Sequence, residues 1–505
     1  MGKCKMEINS LLRQLDLGNS VAEFDDALDR YFVETEAFRA LTLDRADIIA
    51  GEKGTGKTAL YRVFKQRYTS IPELKQVEVV AGFNPAGNPV FQQLAQVASL
   101  SEGQYRTVWK TYLLSLVGNW LLELYGSDAT PAMGKLDSLL SSVGLRSTDD
   151  SAQTIFSKLV NVFTRLINPK SAQIGLTLSE TGIPVVTPKL EFQSEPPSSD
   201  PPDVIPHERA LSCLNTALED VNLTTWIVLD RLDEAFQGFP SIEIPALRAL
   251  LRTYLDLLAY PRIRLKLFVR NDVFRKVIQG GFVNLTHINA RKIEIVWEEE
   301  DLLNLFSRRV RDSEAFVKDV GLAGQTDKGI FDRIFPKQVD QGPRKPTTWN
   351  WMMSRIRDGN GIKPPRNLID LAMKAKEAQV RSEDRNPRDY SSDLPIIEAD
   401  SVRRAHRALS EQRVQDTLIA ENKELAPTIE KFRSGKAEHN EYSLASLLGV
   451  AETNVRSAIK PLVEMGFLEE IGGSGSFKIP MLYREGLAVT QGKAFSTEGA
   501  EEEEN

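Results

Sequence analysis

The sequence predicts an α/β fold: a parallel sheet covered by helices, then a helical region and a small C-terminal domain. Three observations carry this reading. GEKGTGKT, Gly51–Thr58, is a glycine-rich loop placed between an apolar strand and an amphipathic helix. TTWIVLD at 224–230 and IRLKLFV at 263–269 are further apolar runs in the same style, separated by helical sequence, the alternation that gives parallel strands. Residues 441–482 order as helix, turn, helix, strand, flexible wing and strand.

Size and composition set the frame. A chain of 505 residues exceeds one ordinary core and implies about three domains. With 41% hydrophobic and 26% charged residues, a disordered or collagen-like chain is excluded. The longest nearly apolar stretch, Tyr112–Tyr125, is too short to span a bilayer and contains Gly118, Asn119 and Glu123. The start MGKCKMEINS has no apolar run behind it, and Met6 occupies the place where a myristoylation signal wants Ser or Thr, so a cytoplasmic protein without membrane contact is expected. Cys4 and Cys213, with His207, His287, His406 and His439 scattered, form neither a disulfide scaffold nor a zinc pattern. A net charge of -7 argues against a chain-wide nucleic-acid surface and leaves room for a local one.

In chain order, 1–44 reads as an N-terminal helical region, with its amphipathic part at 7–43. Strand 47–50 enters the glycine loop, and helix 59–68 puts Leu60, Val63 and Phe64 on one face, as a helix covering a sheet requires. A strand follows at 77–83 and a turn cluster at 84–89. An insertion spans about 90–206: helical at 104–125 and 151–166, strand-like at 172–180, and too rich in proline at 181–206 for a helix or central strand. Helix 210–220 leads into the strand at 224–230. Helices at 298–320, 348–358 and 364–380 suit a lid, the last opening after Pro365. The domains expected are thus a core at 45–310, a lid at 311–397, a helical connector at 398–434, a winged-helix-like unit at 435–495 and an acidic tail at 496–505. In the winged-helix unit, helices at 441–448 and 452–464 precede strands at 467–471 and 477–482, joined by GGSGS.

The loop satisfies G-x-x-x-x-G-K-[ST] with a strand before it and a helix after it. The candidate phosphate-binding residues are Gly51, Glu52, Lys53, Gly54, Thr55, Gly56, Lys57 and Thr58. Backbone amides surround an anion there, Lys57 reaches the β and γ phosphates, and Thr58 ligates magnesium. Glycines at 51, 54 and 56 let the chain wrap closely. Hydrolysis also needs an acid beside magnesium. WIVLDRLDEAF, Trp226–Phe236, is an apolar strand whose end delivers Asp230 as the magnesium-side carboxylate; Asp233 and Glu234 compete for the role of orienting or activating water.

Gly51–Thr58 and Ile227–Glu234 together resemble the P-loop NTPase core of the AAA+ and STAND ATPases, whose members often carry a helical lid and a C-terminal winged helix. The resemblance covers about 45–310 for the core and 311–495 for the accessories. It implies ATP and Mg2+ as cofactors and ATP hydrolysis as the activity. Arg231 stands where AAA+ proteins usually place a second acid, which brings the chain nearer STAND-like and archaeal initiator-like ATPases and implies slow turnover. By the same resemblance Arg270 or Asn271 senses the γ phosphate, and Arg366 in KPPRNLIDLA is a second nucleotide-sensing arginine. Arg308, Arg309, Arg344 and Arg357 are candidates for donation to a neighbour's ATP, each with a solvated-face role as the plainer reading. The implied function is a molecular switch that controls self-association or a protein effector, with microbial antiviral defence as a setting. DNA remodelling and a non-hydrolysing nucleotide-gated adaptor stand as alternatives.

A DNA-binding winged helix would set 452–464 in the major groove. Arg456 and Lys460 lie i to i+4, with Lys478 near the wing. Yet from Lys436 to Thr490 five basic residues face seven acids, too acidic for a typical groove reader, so protein contact or intramolecular regulation is favoured. Leu444, Leu447, Leu448, Val455, Ile459 and Leu462 read as its core, and Trp109 and Trp120 as packing within the insertion.

Overall fold

The computed structural model describes residues 6–82, 100–146, 177–178, 184–185, 207–232, 240–279, 281–473 and 475–495. The expected helix at 151–166, most of the proline-rich stretch, Asp233, Glu234 and the acidic tail lie outside them. The chain forms two compact units: Ala37–Ala50 with Phe64–Glu294, and Met1–Glu36 with Gly51–Val63 and Ile295–Asn505.

The first unit is built on a parallel sheet. Its strands are β1 (Ile48–Gly51), β2 (Val77–Gly82), β5 (Thr224–Leu229), β6 (Ile263–Arg270) and β7 (Lys292–Glu294), in the order β2-β5-β6-β1-β7. β1 pairs with β7, β2 with β5 and β5 with β6 in parallel. Of the strand expected at 172–180 only Thr177–Leu178 is among the described residues; it forms β3, paired antiparallel with β4 (Pro184–Val185) inside the stretch read as a linker. Residues 48–50 and 226–229 are buried, as continuous apolar runs in a two-sided sheet should be. Leu60, Val63 and Phe64 are buried as their spacing requires, and Phe64 stacks on Trp226 at 5.8 Å.

Helix Glu102–Tyr125 starts at a capping box, in which Ser101 accepts from the Gln104 amide and Gln104 accepts from the Ser101 amide. Trp109 is fully buried there and donates to the Ala246 carbonyl at 2.8 Å; Trp120 is partly buried against the same core. Ala246 belongs to helix Pro240–Leu257, which contains Pro245 and has no counterpart among the elements expected from the sequence. Two shorter helices, Asn271–Ile278 and Leu285–Ala290, precede β7 and were likewise not anticipated.

A continuous apolar cluster runs through the second unit. It joins Ile8, Leu11 and Leu12 of the N-terminal helix Ile8–Gln14 to Phe306, Phe316 and Leu371 of the lid and Phe467 of the C-terminal domain. The helix expected at 298–320 breaks at Ser313 into Glu299–Asp312 and Glu314–Val320. The reason is local: Ser313 turns out of the helix, its hydroxyl accepting from the Asp16 amide at 2.8 Å and donating to the Asp16 carbonyl at 3.0 Å. The pattern expected at 398–425 is an α-helix only over Ala399–Arg413, followed by a π-helical turn at Val414–Ile419.

The C-terminal domain is a winged helix. β8 (Lys436–Asn440), helix Glu441–Leu448, helix Val455–Glu464, β9 (Glu469–Ile471), β10 (Ser476–Lys478) and β11 (Thr490–Lys493) form a sheet of order β11-β8-β10-β9 with two helices. The strand expected at 477–482 ends at Lys478, because Pro480 caps a helical turn at Met481–Arg484 instead. Leu444, Leu448, Val455, Ile459 and Leu462 are buried, and Leu447 is partly buried against the same cluster.

Candidate nucleotide site

The loop at Gly51–Thr58 has the conformation its glycines permit. Gly54 and Gly56 sit at φ +77° and +96°, left-handed backbone that a side chain disfavours. A β-carbon on Gly51 would lie 2.5 Å from Thr55 Oγ1, and one on Gly54 would lie 3.2 Å from Pro364 Cβ. Thr55 is buried and donates to the Glu52 carbonyl at 2.8 Å, closing the loop. The helix Lys57–Arg67 begins at the loop's end, which sets the positive end of its dipole at the loop. Lys57 Nζ donates to the carbonyls of Gly51 and Glu52 at 2.8 and 3.0 Å, which folds the ammonium over the loop mouth.

Residues distant in sequence surround this loop within its own unit. Trp297 donates its indole N–H to the Thr55 carbonyl at 2.8 Å and packs, as Met373 does, against the cluster of Val33, Leu305 and Ile369, an apolar flank to the loop. Arg366, in the first turn of helix Pro365–Glu383, would lie 3.5 Å through its Cβ from a Gly54 side chain. Lys53 forms an ion pair with Glu421 beyond the π-helical turn. Trp297 and Glu421 carry no motif; only a tertiary contact reveals them.

In the sheet unit, Asp230 follows β5 and is buried. Arg231 beside it takes φ +57°, a sharp turn that a non-glycine residue adopts only under constraint. Arg270 ends β6 and is engaged by Asp272 at 2.8 Å. Burial opposes ionisation of Asp272, but the charge of Arg270 and the hydrogen bond from it hold the carboxyl below its usual range. Asn271 opens the next helix and donates to Glu294 at 3.5 Å. In the sheet order β6 lies between β1 and β5, so Asp230, Asn271 and the end of β1 share the carboxyl edge, where open α/β sheets bind ligands.

Of the arginines considered for donation to a neighbour, Arg309 is excluded by its own contacts. It is buried, donates to Asp25 at 2.9 Å and lies over the Tyr31 ring at 4.3 Å. Arg308 donates to the Phe32 carbonyl at 2.7 Å, and Arg357 is paired with Glu469 at 3.2 Å. Arg344 is exposed. In the winged helix, Arg456 pairs with Glu441 at 2.7 Å, Lys460 with Glu464 at 3.8 Å and Lys478 with Glu469 at 3.1 Å. Each basic residue suggested for a DNA face therefore already has a carboxylate partner.

The loop between β1 and its helix, the sheet order, the lid and the winged helix define an α/β P-loop NTPase fold with accessory domains. No protein-family model matches the sequence, and no curated protein matches it. Among solved structures, the chain is similar to the Aeropyrum pernix ORC2 protein in its ADPNP-ADP complexes, with 14% identity, 92% of this chain and 96% of that chain covered, and a TM-score of 0.38. It is also similar to the Aeropyrum pernix ORC1 protein in complex with DNA, at 14% identity, coverage of 93% and 96%, and a TM-score of 0.31. The ADP form of the same ORC2 protein is similar at 12% identity, with 88% of each chain covered and a TM-score of 0.30. No helix among the described residues is long and apolar enough to cross a membrane.

Proposed function

We propose that this protein is a magnesium-dependent ATP-binding and ATP-hydrolysing switch that controls protein assembly or a partner effector. The conformation of Gly51–Thr58 carries the proposal, with two left-handed glycines and a lysine at the first turn of the following helix. Such a loop sets its backbone amides at the start of a helix, where an anion is favoured, and has no room for side chains at 51 or 54. A triphosphate fits this cradle, and the apolar flank around Trp297 suits the face of a purine ring.

The roles follow from these positions. Loop amides and Lys57 neutralise phosphate charge, with Lys57 exchanging its bonds to the Gly51 and Glu52 carbonyls for phosphate oxygens. Thr58 and Asp230 are the residues that would hold Mg2+, which would supply positive charge to the phosphates. Glu234 or Asp233 orients and deprotonates water, Asn271 contacts the γ phosphate, and Arg366 reports occupancy to the lid. Between Arg270 and Asn271, the Asp272 pairing of Arg270 favours Asn271. Lys53 and its partner Glu421 extend that report to the connector.

A protein partner is favoured over DNA because Arg456, Lys460 and Lys478 are each paired with a carboxylate. A microbial conflict system is the setting in which such a partner is sought first. The test is magnesium-dependent ATP turnover and oligomeric mass for wild type, Lys57→Ala and Glu234→Gln, with and without DNA. Turnover lost in both variants and indifferent to DNA supports the switch; tight ATP binding without turnover in the wild type replaces it with a nucleotide-gated adaptor.

A further inference from the structure

Helix Glu299–Asp312 carries charge on two faces. On the inner face Arg309 is buried, bonds to Asp25 at 2.9 Å and lies 4.3 Å over the Tyr31 ring, which pins the short helix Leu28–Tyr31 in place. On the outer face Arg308, Arg311 and Asp312 stand at i, i+3 and i+4, the spacing that makes helical residues neighbours. With the short helix held there, Arg30 reaches this outer face and pairs with Asp312 at 2.9 Å.

Arg30, Arg308, Arg311 and Asp312 line a cavity of about 310 Å³ that opens to solvent. Three guanidinium groups set against one carboxylate leave its lining with a net charge of +2. Outside the cavity Arg311 pairs with Asp327 at 2.6 Å and donates to the Gln325 carbonyl at 3.1 Å. Arg308 is held by the neutral Phe32 carbonyl at 2.7 Å and has no carboxylate within salt-bridge distance among the described residues. A guanidinium has five N–H donors, so each of the three keeps donors to spare. The volume falls at the small end of ligand sites, which suits a small molecule rather than a macromolecule. Arginine forks match the oxygens of phosphate, and a phosphate monoester carries nearly two negative charges at neutral pH, equal to the surplus on the lining.

We propose that the cavity of Arg30, Arg308, Arg311 and Asp312 is a second anion site, which binds the phosphoryl group of a small molecule, either inorganic phosphate or a nucleoside monophosphate. An anion there bridges the N-terminal helical region to the lid. No residue of the Gly51–Thr58 loop lines the cavity, so phosphate bound in it is distinguishable from phosphate bound at the loop.

The full chain carrying Lys57→Ala, which weakens phosphate binding at the loop, is dialysed to equilibrium against radiolabelled phosphate at constant low ionic strength, because salt screens an open site. Saturable binding at a single site is expected. Adding Arg308→Gln is expected to weaken it at least about tenfold, the worth of a charge-assisted bond. Adding Asp312→Asn instead is expected to tighten it about fivefold, because it removes the negative charge from the lining, a gain that lost packing would not produce. The same dialysis with a labelled nucleoside monophosphate separates the two sources: tighter binding than phosphate assigns the site to a nucleotide, and equal binding to the free phosphoryl group. Binding seen only with Lys57 intact, binding of neither ligand, or an affinity unchanged by Arg308→Gln overturns the assignment. If Arg308→Gln does not fold, Asp312→Asn decides alone, and an affinity that fails to rise there overturns it.

Discussion

Lys266 Nζ lies 2.7 Å from Asp47 Oδ1, and both side chains are excluded from water. Lys266 also donates to Asp44 and lies 3.9 Å over the Trp226 ring, while Asp47 accepts from Tyr254 and Arg291 at 2.9 Å each. The cluster joins the residues before β1 to the middle of β6 and so sets the strand that leads into the Gly51–Thr58 loop. Burial opposes ionisation of Asp47, but the hydrogen bond from Arg291 and the charge of Lys266 hold its carboxyl below the usual range. Asp47→Asn is expected to destabilise the chain by about 3–5 kcal/mol, because it removes the buried carboxylate shared by Lys266 and Arg291 and leaves both cations to the half-exposed Asp44. Urea unfolding measures this; a change under about 1 kcal/mol contradicts it.

The half-buried His207 and the buried His406 give a pH dependence of known sign. Burial, with the charge of Lys110 for His207 and of Arg355 for His406, lowers each to about 4 from 6.5. The unfolded chain gains these protons below pH 6.5 while the folded chain does not until near pH 4, so stability falls as pH drops through that window. His207→Gln retains a polar partner for Thr111, which lies 2.8 Å from the imidazole, and is expected to flatten the slope of unfolding temperature against pH. An unchanged slope contradicts the assignment.

Gly359 meets the winged helix through backbone alone. Its amide donates to the Gly466 carbonyl at 2.7 Å, and a β-carbon on it would lie 2.8 Å from the carbonyl oxygens of both Gly466 and Leu468. Gly359→Ala is expected to loosen this contact by about 1–3 kcal/mol, the range for overpacking. Limited proteolysis is the measure, with faster cleavage after the lid expected and wild-type protection as the contrary result.

The charge pairs on the helix Val455–Glu464 lead to a different test. Arg456→Glu with Lys460→Glu is expected to leave ATP turnover unchanged with and without duplex DNA, since both cations are already neutralised by Glu441 and Glu464. DNA stimulation that disappears in this double variant would favour the remodelling reading.

The strand, loop and helix around Gly51–Thr58 were legible because glycine spacing and apolar runs are local signals, and β5 and β6 were legible for the same reason. Elements whose pattern comes from distant partners were not. β7 has a single apolar residue, Ile293, and β11, TQGK, has none; both exist because a neighbouring strand supplies hydrogen bonds. β8, KAEHN, buries Ala437 and His439, a pattern too faint to separate from a loop. Conversely FKIPML alternated well enough to suggest a strand, yet Pro480 ended it. In the candidate site, the loop residues and Asp230 carried motifs. The Asp25 partner of Arg309 and the Trp297 bond to Thr55 carried none.

The Gly54 backbone offers a further test of the loop. Gly54→Ala places a side chain at φ +77° and against Pro364 and Arg366, so ATP affinity is expected to fall at least about tenfold while the unfolding temperature changes by only a few degrees. Calorimetric titration with ATP checks this, and retained affinity would mean that the loop does not cradle phosphate in this conformation.

The measurement closest to the central claim is steady-state ATP hydrolysis in magnesium by wild type, Lys57→Ala and Glu234→Gln, with ATP binding measured on the same samples. The account expects slow wild-type turnover, loss of both binding and turnover in Lys57→Ala, and retained binding with at least about a hundredfold slower turnover in Glu234→Gln. Wild-type turnover that survives Lys57→Ala would contradict it, because hydrolysis would then not arise at the Gly51–Thr58 loop.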